Sequence, residues 1–429
     1  MVSFPVSLFL VESNLNPIKE NIDKFVAGLT KWEPTIKKKG VMMPPKVKVE
    51  GKDYQDAFAK MNALYLRNQW ADGLPLMPAT KERVQWILRG TDLPPDAIVG
   101  NGKILPRGGI ATVEAVAVAL AMAGGRPEYL PVLIAAVEAM LDPALQHQGW
   151  QATTSSVFPA VIVNGPIAKD IRLNSGWGLV GPNSLYPAGG VIGRALRLLQ
   201  QDVGGAVPGV GTMAQYGGMR YTNAVFAEDE EGLPPGWQPL STDRFGQPRG
   251  TNAVTVYSVS SAVNILRRGT GKETPQEEAT GSLYRIAAYM ASPNVNTLEG
   301  YEEGTPGILI FSSTIAKQLV QLGWTREKIR DFLWENARIP VSELKKEAML
   351  LYMEDKGIDL KKLTDPWPIT AKAKNIVLVV AGGTHPTHAY WMQAAQGPKM
   401  INAKIKLPAK WNDLIKEAEK DMGPLPASK

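Results

Sequence analysis

Three segments of the chain share one pattern, in which a continuous apolar run passes through a few small or polar residues into a sequence typical of a helix. The three runs begin at Val157, Gly307 and Asn375. Apolar residues at consecutive positions are typical of strands buried on both faces, as in the parallel sheets of α/β proteins. The pattern therefore predicts an α/β fold with a mainly parallel sheet built from βα units.

Other segments repeat their apolar residues at helical spacing and carry residues that start or stop helices. Thr80 precedes a run that its hydroxyl can cap, and Gly124 with Gly125 ends one apolar helix before Pro127 begins the next. Both apolar helices lack a polar face, so both are expected to be buried. The predicted helices cover residues 54–69, 112–123, 127–141 and 191–201.

The distribution of charge predicts how the chain is divided. Residues 1–52 contain a mixed amphipathic stretch and a Lys-rich linker, and they are expected to form an N-terminal arm. Residues 53–265 are rich in glycine and low in charge at their centre, whereas residues 266–429 end in a Lys-rich tail. A chain of 429 residues exceeds what one hydrophobic core usually serves, so we expect an α/β lobe from each of these two segments.

The composition excludes several classes of protein. The chain has no cysteine, which rules out disulfide scaffolds, Cys-ligated metal sites and a thiol nucleophile of its own. The net charge is +6, but no basic stripe interleaved with aromatic residues is present, so nucleic-acid binding is not expected. No apolar run approaches the roughly 18–20 residues of a membrane span, and residues 1–11 lack the basic start of a signal peptide. We therefore predict a soluble, cytoplasmic protein.

Two of the three histidines follow the third apolar run and are the first candidates for chemistry. His385 and His388 flank Pro386, which is predicted to be the first residue of a helix. The helix dipole would then keep both rings neutral, and a neutral imidazole can act as a base, a hydrogen-bond donor or a metal ligand. The alternative is that either ring only caps the helix.

The third histidine, His147, lies before four consecutive hydroxyl residues that include Thr153 and Thr154. Such a loop could donate hydrogen bonds to a carboxylate or carbonyl of a substrate, or could simply satisfy a turn. His147 is predicted to be catalytic, with Thr153 and Thr154 binding substrate. No carboxylate accompanies the three histidines at a recognisable ligand spacing, so no metal site is predicted.

The remaining candidates are acidic, amide, hydroxyl and glycine residues near the ends of predicted strands and helices. Glu228 stands in an acidic run after the strand-like 221–227, where it could act as a general base or form a solvated turn. Glycines before the helix at 191–201 could admit an anion, although close helix packing is the alternative. The predicted substrate-binding residues are, besides the two threonines, Asn164, Asn174, Ser175, Gly189, Gly190, Arg194, Ser312 and Gly383.

Several short blocks are distributed along the chain: Asp72-Gly-Leu-Pro, Gln151-Ala-Thr-Thr, Val163-Asn-Gly-Pro, Ile192-Gly-Arg-Ala-Leu and Trp237-Gln-Pro-Leu. Together they resemble a widespread bacterial family whose members are encoded beside, or fused to, a small thioredoxin-related domain with a selenocysteine or cysteine motif, U/C-G-S-C. The resemblance covers roughly residues 70–400. It implies that the reactive sulfur or selenium belongs to a separate component, and the absence of cysteine agrees with that division. Where the family carries a Pro-Glu-His-Ala-like block, this chain has residues 312–316, without the histidine.

Two hypotheses for the function follow. The chain is either a catalytic subunit that acts on a small anionic organic substrate at the carboxyl ends of parallel strands, or a non-catalytic subunit that binds substrate or assembles a complex. In either case a small thioredoxin-like protein is the expected partner, and a homo- or hetero-oligomer is expected. Neither a complete dinucleotide fingerprint nor a Walker motif is present, and the sequence leaves any cofactor undefined.

Overall fold

The structure is a computed structural model that describes residues 12–31, 33, 46–217, 219, 223–267, 269–292, 301, 304–346, 349–355, 357–395 and 399–425. It forms two compact units, residues 1–47 and residues 48–429. The first unit contains two short helices, α1 (Asn16–Lys19) and α2 (Ile22–Thr30). All other described elements belong to the second unit.

Several helices of the second unit begin at a side chain that caps them. Thr80, Thr112 and Ser312 each accept a hydrogen bond from the backbone N–H three residues on, and each precedes a helix. The helices are α3 (Tyr54–Arg67), α4 (Lys81–Leu88), α5 (Val113–Met122), α6 (Leu130–Met140), α7 (His147–Ala152), α8 (Ile167–Asp170), α9 (Ala188–Asp202), α10 (Leu240–Phe245), α11 (Pro275–Met290), α12 (Ser313–Gln321), α13 (Arg326–Asn336), α14 (Val341–Lys346), α15 (Met349–Asp355) and α16 (Trp411–Met422).

The described strands form one large sheet and one small one. The strands are β1 (Phe158–Asn164), β2 (Ala224–Ala227), β3 (Ala253–Leu266), β4 (Gly307–Phe311), β5 (Arg338–Ile339), β6 (Trp367–Pro368), β7 (Val377–Val380), β8 (His388–Ala394) and β9 (Ile401–Lys404). Within the described residues the large sheet has seven strands in the order β2-β1-β3-β8-β4-β7, with β9 also pairing with β3. β5 pairs with β6.

The sheet confirms the α/β class, but it is mixed rather than mainly parallel. Among the described strands of the large sheet, β1–β2 and β4–β7 are parallel, whereas β3 pairs antiparallel with β1, β8 and β9, and β4 with β8. The reason is β3, a long strand absent from the sequence-based prediction, which enters the sheet antiparallel between β1 and β8. The strands of the large sheet come from both predicted lobes. The division of residues 53–429 into two lobes stays a prediction.

Alternate residues of the strands build the inner core of a curled sheet. Phe158, Ala160 and Ile162 of β1 belong to the same buried cluster as Ile308 and Ile310 of β4. Residues between them face outward into two helical layers: one contains α5, α6 and α9, and the other contains α11, α12 and α13. A bulge between Val259 and Ser261 shifts the register of β3. The strand pairs with β1 up to Val259 and mainly with β8 after the bulge.

The segment after His385 is a strand, which corrects the prediction of a helix there. β8 begins at His388, pairs with both β3 and β4, and buries six of its seven residues at least partly. Its Tyr390 and Trp391 favour a pleated strand between two neighbours, and this pairing outweighs the local helix-start signal of Pro386. His388 is therefore the first residue of a strand, and the helix-dipole argument does not apply to it.

Candidate functional site

A cavity of about 630 Å³ opens where the inner face of the curled sheet ends. Ile310, Ala381 and Tyr390 continue the inner core into its wall, and Ser312 follows β4 at the same edge. Clefts at the mouth of a curled sheet are frequent ligand sites. Its lining residues are Trp177, Gly178, Leu179, Val180, Asn264, Ile310, Ser312, Ala381, Gly382, His385, Thr387, His388, Ala389 and Tyr390.

The turn after β7 needs its glycines. Gly382 and Gly383 have φ values of 92° and 90°, which only glycine adopts without strain. A Cβ on Gly383 would also lie 3.1 Å from the indole Nε1 of Trp177. The Gly382 N–H donates to the Ser175 carbonyl at 2.8 Å, and the Gly383 carbonyl accepts from the Ser313 N–H at 3.1 Å. The turn is therefore fixed by backbone bonds on both sides.

A threonine hydroxyl joins the two predicted histidines at this turn. Thr387 Oγ1 lies 2.8 Å from His385 Nδ1 and 2.7 Å from His388 Nδ1. Each contact needs a hydrogen between its two atoms, and the hydroxyl has only one to donate. At least one ring therefore carries a hydrogen on Nδ1. When that ring is neutral, its Nε2 is unprotonated and can accept a proton.

A buried arginine donates hydrogen bonds to the backbone beside the two histidines. Arg267, which directly follows β3, donates from Nη1 to the Pro386 carbonyl at 3.2 Å and from its backbone N–H to the Thr387 carbonyl at 2.6 Å. Burial lowers the pKa of its guanidinium to about 10, so it stays protonated at neutral pH. Arg267 is absent from the residues predicted from the sequence, since only the pairing of β3 with β8 brings it to the histidines.

The loop at residues 173–180 forms the facing wall. Trp177 is largely exposed and meets the His385 ring edge-on, with ring centroids 5.9 Å apart. Asn174 shapes this loop, because its side chain donates to the Trp177 carbonyl and accepts from the Gly176 N–H, each at 2.9 Å. Asn174 and Ser175 thus position Trp177, and neither is among the residues that line the cavity.

A second polar cluster surrounds Glu228 and Asn164. Glu228 Oε2 accepts from Asn164 Nδ2 at 2.8 Å and from the Leu240 N–H at 2.6 Å, while its buried Oε1 has no hydrogen-bond partner among the described residues. Burial raises the pKa of the Glu228 carboxyl to about 7, against the opposing effects of these hydrogen bonds and of Arg326. Glu228 is a buried carboxyl and not part of a solvated turn.

His147 and the two threonines lie elsewhere in the described structure. None of the three lines the cavity. His147 is buried, which lowers the pKa of its imidazole to about 4. Thr153 Oγ1 accepts from the Ser155 N–H at 3.1 Å, and the Thr154 carbonyl accepts from the Gln215 N–H at 3.1 Å. The first contact is that of a turn, and the second joins this segment to the one at Gln215.

Gly189 and Arg194 make structural contacts in helix α9. A Cβ on Gly189 would collide with the Val225 carbonyl oxygen, so this glycine allows close packing of α9 on β2. Gly190 has the backbone of Pro182 as its nearest neighbour, at 3.7 Å from a Cβ. Arg194 binds Asp72 through Nε and Nη2 at 2.7 and 2.9 Å. Burial alone would raise the pKa of the Asp72 carboxyl, and these bonds outweigh it and lower it.

Within the described ranges, no three His, Cys, Asp or Glu side chains are grouped so that they could hold a metal ion. Of the helices in those ranges, none combines the length and the apolar character that crossing a bilayer requires.

Comparison of the chain with known protein families, with curated proteins and with solved structures gave no significant match.

Proposed function

We propose that this chain is a catalytic subunit that performs acid–base chemistry on a small organic substrate in the cavity at His385 and His388. In this proposal a separate thiol- or selenol-bearing protein works with it. The observation that supports the proposal most directly is the Thr387 hydroxyl shared between the two Nδ1 atoms. It ties the protonation state of one ring to that of the other.

The pair supplies a base and an acid at one place. When the Thr387 hydroxyl donates to one Nδ1, that neutral ring has its hydrogen on Nε2 and can act as an acid. The other ring then donates its Nδ1 hydrogen to the hydroxyl, and its Nε2 is a base. A substrate placed between the two Nε2 atoms could lose a proton to one ring and receive a proton from the other.

The cavity wall indicates what kind of substrate fits. Its apolar part is formed by Trp177, Leu179, Val180 and Ile310, and its polar groups are imidazole, hydroxyl and amide. No Lys, Arg, Asp or Glu is among the described residues that line it. An acidic group on the substrate would therefore be met by hydrogen bonds from imidazole, hydroxyl and amide groups. A compound with an apolar body and a single carbonyl or carboxyl group suits this wall better than a polyanion.

The alternative is a non-catalytic subunit that binds the same compound and presents it to its partner. The observation that favours this alternative is the lack of any carboxylate among the described cavity residues, since a carboxylate commonly orients a catalytic histidine. The two functions differ in one measurable respect, because only the catalytic subunit exchanges protons with the bound compound.

The experiment is a screen in D₂O of small aryl and alkyl carbonyl and carboxylic acids, with and without glutathione in place of the partner thiol. Mass spectrometry detects deuterium incorporated into the compound. We expect exchange by the unmodified chain and a loss of roughly two orders of magnitude in Thr387→Val. Thr280→Val removes an exposed helical hydroxyl and serves as the matched control. Binding without exchange would establish the alternative, and unchanged exchange in Thr387→Val would overturn the proposed acid–base pair.

A further inference from the structure

Arg326, the first residue of helix α13, is a buried cation outside the cavity. Its side chain is only 3% exposed, and its Cζ lies 4.4 Å from the centre of the Trp237 ring. Nη1 donates to the Gln238 carbonyl at 2.9 Å and lies 3.3 Å from Asp243 Oδ2. These contacts use one nitrogen of the guanidinium.

The other edge of this guanidinium is unpaired within the described part of the chain. Nε and Nη2 of Arg326 are buried, and neither has a hydrogen-bond partner among the described residues. The buried indole N–H of Trp237, whose ring lies under the guanidinium, also has none there. Nε and Nη2 form the edge that binds a carboxylate or phosphate through two parallel hydrogen bonds. Arg194 uses the same two atoms to bind Asp72 in this chain.

Around Arg326, three guanidinium groups interact with two carboxyl groups, those of Asp243 and Glu228, which leaves an excess of positive charge. Arg326 and Arg330 share the single carboxylate of Asp243, at 3.3 and 2.6 Å. Arg244 is a third guanidinium close enough to Arg330 and Asp243 to interact with both electrostatically. Glu228 does not fill the open edge, because its Oε2 is held by Asn164 and Leu240 and its Oε1 makes no hydrogen bond with a described residue.

We propose that the Nε–Nη2 edge of Arg326, together with the indole N–H of Trp237, binds a small oxyanion. The ligand is either the carboxylate of a small organic acid or an inorganic oxyanion such as phosphate, since both present two oxygens to a guanidinium edge. The site is separate from the proposed catalytic cavity, because neither Arg326 nor Trp237 lines that cavity. Its positive surroundings favour a bound anion over a neutral molecule.

The test is isothermal titration calorimetry of the full chain with sodium acetate and, separately, with sodium phosphate at constant ionic strength. We expect saturable binding of acetate or of phosphate at a single site. The anion that binds more tightly shows whether the site takes a carboxylate or an inorganic oxyanion. Trp237→Phe keeps the ring under Arg326 but removes the N–H, and it should weaken binding by roughly fivefold, the usual effect of one hydrogen bond. Arg326→Gln should abolish binding.

Trp86→Phe is the matched control, because Trp86 also lies under guanidinium groups, at 5.4 and 5.5 Å, and its loss should leave the affinity unchanged. Circular dichroism checks that each variant is folded, and Trp237→Phe decides the matter if Arg326→Gln does not fold. The proposal is overturned if neither anion binds saturably and a crystal structure shows an ordered water only at this edge. It is equally overturned if Trp237→Phe binds as tightly as the unmodified chain.

Discussion

The backbone N–H of Asp229 donates a 2.7 Å hydrogen bond to the carbonyl of Val380. These residues follow β2 and end β7, which are the outermost strands in the sheet order, so the contact joins the two edges of the curled sheet. Asp229 is next to Glu228, and Val380 is next to Ala381 in the cavity wall. A backbone hydrogen bond therefore joins the segment that carries Glu228 to the strand end beside the cavity wall.

The substitution His388→Asn separates a catalytic ring from a structural one. His388 is exposed at the start of β8, so we expect the free energy of unfolding to change by less than about 1 kcal/mol. Deuterium exchange or turnover should fall by roughly two orders of magnitude, the usual contribution of a positioned acid–base group. Thermal melts and exchange rates on one variant decide the question. A destabilised variant with full activity per folded molecule would remove His388 from the site.

Arg194→Met tests whether Arg194 binds substrate or holds the fold. The substitution leaves the Asp72 carboxylate, whose side chain is 1% exposed, without its cation. Loss of one partner from a buried ion pair costs about 3–5 kcal/mol, and urea denaturation measures it. Ligand affinity in the cavity should not change. Adding Asp72→Asn to the same chain should restore part of the stability, whereas a stable Arg194→Met that fails to bind ligand would show a binding role.

Glu228→Gln should change how stability depends on pH. Burial raises the pKa of the folded-state carboxyl to about 7, above the unfolded value of 4.5, so the folded chain binds more protons between these pH values. This group therefore lowers the free energy of unfolding as the pH rises, by about 2–3 kcal/mol between pH 5 and 8. Urea denaturation should show a smaller loss in Glu228→Gln. The exposed Glu327→Gln on α13 is the control and should keep the full loss.

His147→Gln should change how the free energy of unfolding depends on pH in the acidic range. Burial lowers the pKa of the folded imidazole to about 4 from 6.5, so the unfolded chain binds more protons between these values. Stability from this group is present above pH 6.5 and is lost as the pH falls, by about 2 kcal/mol between pH 7.5 and 5. Denaturation at these two pH values should show a smaller loss in the variant. Equal losses in both proteins would mean that His147 is accessible to protons in the folded state.

The strands that could be predicted are those buried on both faces. β1, β4 and β7 carry apolar residues at nearly every position, and that pattern is independent of what pairs with them. β8 was predicted as a helix, because Pro386 resembles a first helical residue and the two neighbours that make it a strand lie far away in sequence. The direction of pairing likewise depends on contacts that no local pattern contains.

The candidate site was predictable to a similar extent. Ser312 and His385 lie at the cavity because they follow β4 and β7, which the local pattern identifies, whereas His388 begins β8, which the local pattern does not. Thr387 could have been selected, since a hydroxyl next to one histidine and two residues from another can reach both. Arg267 could not, because its distance of 119 residues from Pro386 is closed only by the β3–β8 pairing.

The shared hydroxyl of Thr387 also bears on what happens between successive turnovers. If one ring takes a proton at Nε2 while the other gives one up, a proton can pass from the first Nδ1 to the hydroxyl oxygen as the hydroxyl passes its own to the second Nδ1. All charges are then neutral again, and the two histidines have exchanged tautomers. The protein would end each cycle prepared for the reverse reaction, or for the mirror-image compound, without a proton from solvent.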